Sequence, residues 1–234
     1  MATVLLYTRL HGLILNHGNT RLSSMESKAL QIKTNRPGRP KSEEKRESIS
    51  HSAAQLFLTE GYERASMDSI AQQAGVSKQT VYSHFRNKDE LFQSCIASKI
   101  QQYQLALDSS QHGTLVDGLT ALCDGYLRLL SDPKVVSMWR LVINESAAHP
   151  HVATLFYGSG PGATLASLTR FLEAHADELA TTDFERAARS FLAMAAGHYQ
   201  TQVMLNIIDG VPAAERKAHV SRTTRDFLKL YGRE

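Results

Sequence analysis

Apolar residues recur along most of this chain at spacings of three and four, the period of a helix packed on one face. No run alternates with the period of two that marks a strand, so the pattern predicts an all-α fold. Ile49, Ala53, Leu56 and Phe57 mark the buried face of a first helix over about 43–60, and Gly61 supplies its left-handed stop. Two short helices follow. Ser66 caps the first, in which Ile70 and Ala74 face inward; Gly75 turns the chain; Ser77 caps the second, whose seam is Val81 and Phe85. Asn87 caps a longer helix, with Glu90 reaching back as in a capping box, and its stripe Phe92, Ile96, Ile100, Tyr103 and Leu107 spans more than four turns. Beyond it the pattern predicts helices over 115–131, 134–148, 162–176, 183–206 and 213–231, with a short turn near 152–157.

A short helix, a glycine turn and a second short helix make a helix-turn-helix. Its second helix would present Lys78, Gln79, Thr80 and Tyr82, then Ser83 and His84, away from the seam. These side chains suit a DNA groove: lysine donates to guanine, glutamine pairs with adenine, hydroxyls bond phosphate, and Ser77 opens a helix N-terminus rich in unpaired N–H groups. A helical hairpin with a polar solvent face is the competing reading; spacing favours DNA without deciding.

Composition narrows the class. With 234 residues, 42% hydrophobic and 21% charged, the chain can bury the core of one domain or two small ones. Its two cysteines, Cys95 and Cys123, sit at no metal-ligand or redox spacing, so no metal and no disulfide framework is expected, and reduced thiols point to the cytoplasm. The stretch from Val4 to Leu15 is broken by Arg9, His11 and Gly12, too short and too polar for a spanning helix or a secretory signal, so no membrane partner is expected. The net charge of +3 hides an asymmetry: residues 1–41 hold seven Lys/Arg against Glu26, hence +6, leaving −3 on the rest. A basic arm on a mildly acidic body suits DNA, although a solvated tail would carry the same charges. Residues 1–35 read as a disordered extension, with Met25 an alternative start. Gly158-Ser-Gly-Pro-Gly162 imitates a dinucleotide loop, but no strand precedes it, and His149 and His151 have no third ligand at a standard spacing. Without a catalytic motif, neither an enzyme nor a cofactor is expected.

The run from Glu60 to Phe92, EGYERASMDSIAQQAGVSKQTVYSHFRNKDELF, strongly resembles the DNA-binding domain of TetR/AcrR-family transcriptional regulators. Arg36-Pro-Gly-Arg-Pro-Lys41 resembles the basic arm that the family places in the minor groove, with Arg39 as the inserted residue. The resemblance implies that Lys78 and Gln79 contact bases, that Thr80, Tyr82 and His84 contact phosphate or sugar, and that Lys88 clamps a phosphate. Residues 36–92 would then be the arm and reading domain, and 93–234 a helical regulatory and dimerisation domain. Met138-Trp-Arg-Leu-Val-Ile-Asn-Glu-Ser-Ala-Ala-His-Pro150 and Leu155-Phe-Tyr-Gly-Ser-Gly-Pro161 resemble the AefR-like branch.

The helix carrying Val135, Val136, Met138, Trp139, Leu141, Val142 and Ile143 is apolar nearly all round, which places it centrally. A cavity beside it would be lined by Tyr126, Met138, Trp139, Phe156, Met194 and Tyr199, with Asn144, Glu145 or Gln202 as polar groups, although each is equally at home in a packed core. A second copy would dock on the last two long helices, through the slim run containing Ala188 and Ala195 and the knobs Phe191, Phe227 and Tyr231. The expected protein is a homodimeric, ligand-responsive repressor released from a palindromic operator by a small apolar molecule. The alternative is a DNA-binding protein whose second half is a partner-binding or structural module.

Overall fold

In the computed structural model, residues 41–107 and 113–233 are described, all within the unit Arg39–Glu234. The basic arm with Arg39 and the extension 1–35 lie outside the described residues. Helices follow in the order α1 (Lys41–Glu60), α2 (Met67–Gln73), α3 (Lys78–His84), α4 (Lys88–Gln102), α5 (Leu115–Leu130), α6 (Pro133–Glu145), α7 (Pro150–Ser159), α8 (Pro161–Ala174), α9 (Phe184–Ala196), α10 (Tyr199–Met204) and α11 (Ala213–Tyr231). A short 3-10 turn, Ala176–Glu178, precedes α9. The described residues contain no strand, only an isolated bridge between Leu179 and Gly232 that fastens the end of α11. The fold is all-α.

Polar side chains at the helix starts satisfy N–H groups that have no carbonyl one turn back. Ser66, Ser77, Asn87 and Thr114 each accept from the N3 amide of α2, α3, α4 and α5. At α4 the carboxylate of Glu90 accepts from Arg86 N at 2.9 Å, one residue upstream of the cap. The α2–α3 turn is made at Gly75, whose φ of +65° an L side chain rarely adopts.

Three helices depart from the sequence pattern. The stripe expected to run through Leu107 stops at Gln102: Gln104 takes a φ of 56°, Leu105 N bonds Ile100 O at 3.0 Å, and Leu105 turns inward to pack with Leu129 and Val135. The expected turn near 152–157 is the helix α7, begun by Pro150 and held by the buried Val152 and Phe156 four residues apart. The long helix expected over 183–206 breaks at Gly197, whose φ is +50°, into α9 and α10.

Two large apolar cores, with the small cluster of Leu105, Leu129 and Val135 beside them, organise the described residues. The first joins α1–α4 through Ile49, Phe57, Tyr62, Val81, Phe85 and Phe92 and continues without a break into Met138, Val142, Val152 and Phe156 of α6 and α7. A boundary at residue 92 would therefore cut both α4 and this core. The second core, inside the α5–α11 bundle, contains Leu119, Leu127, Phe171, Phe191 and Phe227. Here four of the five expected dimer residues are corrected, and Tyr231 is half-buried. Ala188, Phe191, Ala195 and Phe227 are fully buried within one chain, and Tyr231 stacks on Phe227 at 4.9 Å with its hydroxyl 2.9 Å from Ser190 Oγ. Ala187, Ala188 and Ala195 bring α9 close to its own neighbours, so that side of the helix is spent within the chain, while Ala193 is exposed.

Candidate nucleic-acid interface and regulatory cavity

Helix α3 separates structure from display. Val81 and Phe85 are buried, whereas Ser77, Lys78, Gln79, Tyr82 and Ser83 are exposed and Thr80 and His84 are half-buried. Tyr82 keeps 47% of its surface in solvent, so its ring and hydroxyl are accessible on the outer face of α3. Ser77 Oγ accepts from Thr80 N at 3.1 Å and lies 2.8 Å from Thr80 Oγ1, so both hydroxyls help to build the helix start. Lys78 pairs with Asp68 of α2 at 2.8 Å, and this hydrogen bond and charge raise its pKa.

Two cations that appear free in the sequence hold this unit together. Arg46 of α1 donates to His84 O at 2.7 Å and lies 4.2 Å above the Phe85 ring, fixing the end of α3. Lys88 donates to Tyr62 O at 2.8 Å and Glu63 O at 3.2 Å, with its ammonium 4.4 Å from the Tyr62 ring centre. Two of its three N–H groups are engaged inside the protein.

Tyr62 also joins the reading unit to the regulatory helices. Its hydroxyl donates to Asp89, and burial followed by the Asp89 contact raises its pKa well above the usual tyrosine range. Its backbone N–H donates to Glu145 Oε1 at the end of α6, at 3.2 Å. The other oxygen, Glu145 Oε2, is buried without a hydrogen-bond partner among the described residues. The His151 ring meets Tyr62 at 5.5 Å, and His149 and His151 lie 3.6 and 3.9 Å from Glu63.

Where the two cores fail to meet, a cavity of about 450 Å³ opens. Tyr126, Met138, Trp139 and Phe156 line it as expected. Asn144, Glu145, Met194, Tyr199 and Gln202 do not: Asn144 is exposed, Glu145 belongs to the Tyr62 contact, Met194 packs on the second core, and Tyr199 is buried there with its hydroxyl on Glu215 at 2.7 Å. Gln202 lies on α10, away from the lining. The unexpected wall comes from the reading unit: His51, Ala54 and Leu58 of α1 and Cys95, Ile96 and Lys99 of α4 face the same space. Burial pushes the Cys95 thiol up to about 12, which favours its neutral form. Among the described residues no group of His, Cys, Asp or Glu could hold a metal, and no helix is long and apolar enough to cross a membrane.

Residues 49–95 match the family model of TetR-family bacterial regulatory proteins, and residues 117–233 that of the AefR-like transcriptional repressor C-terminal domain. The transcriptional regulator SrpR of Pseudomonas putida is 41% identical over 66 residues, 28% of this chain and only 30% of that protein. The structure of the flavonoid-responsive regulator FrrA has a TM-score of 0.63 at 33% identity over 81% of this chain and 98% of FrrA. A TetR-family transcriptional regulator from Mesorhizobium loti gives 0.63 at 27% identity over 83% of this chain and 100% of its own.

Proposed function

The chain belongs to the TetR family of transcriptional regulators, with an AefR-like C-terminal domain, and from that premise we propose that it is a homodimeric repressor whose operator affinity is lowered by a small molecule bound in the central cavity. One observation carries the reading: α1 and α4, which carry the reading helix, form part of the wall of that cavity. A ligand there touches the DNA-reading unit directly.

In this reading Lys78 and Gln79 contact base edges, while Tyr82, His84, Thr80 and the remaining N–H of Lys88 meet phosphate or sugar, and Arg39 enters the minor groove. The Tyr62–Glu145 contact supplies the mechanical link. Helix α6 carries Val135, Met138 and Trp139 on the cavity and Glu145 on the loop between α1 and α2, so a ligand that displaces α6 displaces that loop and the helix packed behind it. Dimerisation uses the outward residues of α9 and α11, including Ala193, Arg222 and Leu230, because the inward ones are spent within the chain. Two copies set two reading helices about 34–36 Å apart and multiply a weak half-site affinity. The flavonoid response named for FrrA supports a small-molecule effector of this chain without identifying it.

The test is fluorescence anisotropy of the full chain against the DNA upstream of its own gene, with an unrelated duplex as control, at two salt concentrations. Tight, salt-sensitive and discriminating binding by a dimer is expected, reversed by a compound found in a small-molecule screen. Equal weak binding to both duplexes would overturn autoregulation. An operator complex that no cavity ligand disturbs would favour a regulatory half serving a protein partner.

A further inference from the structure

The central cavity has an apolar body and a charged rim of one sign. Ile96, Leu129, Met138, Trp139 and Phe156 supply the body, while Lys99, Lys134 and Arg189 reach the same space with no carboxylate among the lining residues. Two of the three cations are balanced from behind. Lys99 lies 2.8 Å from Asp132 Oδ2, and Arg189 lies 2.5 Å from Glu185 Oε1. Asp132 faces Lys99 and Tyr103 rather than the Lys134 ammonium: Oδ2 also accepts from Tyr103 Oη at 2.9 Å, and Oδ1 accepts from the Lys134 backbone N–H at 2.8 Å. The Lys134 side chain makes no ion pair among the described residues. Three cations against two acids leave one positive charge at the rim of a cavity whose lining is mainly apolar.

A neutral ligand would gain at most a hydrogen bond from that ammonium, an anionic one would gain charge pairing as well, and a cationic one would meet like charge. We infer that the effector is an amphipathic monoanion, an organic acid whose apolar body fills the space between α4, α6 and α7 and whose anionic head pairs with Lys134. The inference rests on the reading of this cavity as the effector site. It adds the sign of the ligand's charge and the residue that selects for it.

The test uses one ten-carbon chain with three heads, decanoate, decanol and decylammonium, titrated into the full-length protein while following Trp139. That residue is the chain's single tryptophan and lies in the cavity wall, so its fluorescence reports occupancy there. Decanoate is expected to bind at least tenfold more tightly than decanol, with decylammonium weakest and the decanoate advantage shrinking as salt rises. Lys134→Gln, on the exposed first turn of α6, should bring decanoate to the affinity of decanol while leaving decanol binding unchanged. If decanol equals decanoate in the unaltered protein, or Lys134→Gln weakens both alike, the inference is overturned, and release of DNA by decanol would leave the effector-site reading standing. If none of the three perturbs Trp139, the inference and the effector-site reading fall together.

Discussion

On α3 a single turn separates side chains that build the helix from side chains free to meet DNA. Thr80 and Ser77 are partly committed to each other, whereas Gln79 and Tyr82 project into solvent and Lys78 is held by an exposed pair with Asp68. Such solvent-exposed pairs contribute little, so Lys78 can exchange Asp68 for a base edge. Lys78→Ala and Gln79→Ala are therefore expected to change base preference by about 1–3 kcal/mol at one position per half-site. Tyr82→Phe should weaken all sequences alike, because a phosphate contact carries no sequence information. Anisotropy titrations against single-base operator variants separate the two patterns, and uniform losses for all three substitutions would remove the base-reading assignment. Arg46 behaves differently: its guanidinium holds His84 O and the Phe85 ring, so Arg46→Ala should lower thermal stability together with DNA affinity.

The elements show which of these features a one-dimensional pattern carries. Helices α2 and α3 are legible because their signals are local: Ser66 and Ser77 cap them, Gly75 turns between them, and Val81 and Phe85 mark the seam. The end of α4 is not, because Tyr103 and Leu107 continue its apolar period while the burial of Leu105 turns the chain at Gln104. The cavity is legible only where large apolar side chains such as Trp139 and Phe156 mark it; the contribution of α1 and α4 depends on how two cores meet in space. Least visible is the contact between Tyr62 and Glu145, whose partners lie 83 residues apart. That contact has its own consequence. Glu145→Ala should leave operator binding by the free protein within a few fold but reduce the loss of DNA affinity caused by decanoate, since α6 then moves without pulling the α1–α2 loop. Glu145→Gln keeps an acceptor for Tyr62 N and should retain the response. Equal responses in all three proteins, read by anisotropy with and without decanoate, would take Glu145 out of the transmission path.

For the whole molecule, the continuous core of α1–α4, α6 and α7 joins the reading helices to the helices that border the cavity. Burial pushes Cys95, Cys123, Tyr103 and Tyr126 up to about 12, with further upward contributions from Asp124 at Cys123 and from Asp132 at Tyr103. Their neutral forms are favoured in the folded chain, so this contribution is intact below the ordinary values, 9.0 for the thiols and 10.0 for the phenols, and is lost as pH rises towards 12. Denaturant midpoints should therefore fall steeply between pH 9 and about 12, and a flat profile there would mean that these groups are not shielded in solution. Under the proposed regulation, thermodynamic linkage makes the coupling between cavity and operator symmetric. If decanoate in the cavity weakens operator binding by some factor, typically about 5–150, the operator must weaken decanoate binding by that same factor. Trp139 fluorescence with and without operator measures one side of the cycle, and anisotropy with and without decanoate measures the other. Equal factors are expected. A decanoate affinity indifferent to operator, alongside decanoate-dependent loss of DNA, would mean that decanoate acts somewhere other than this cavity.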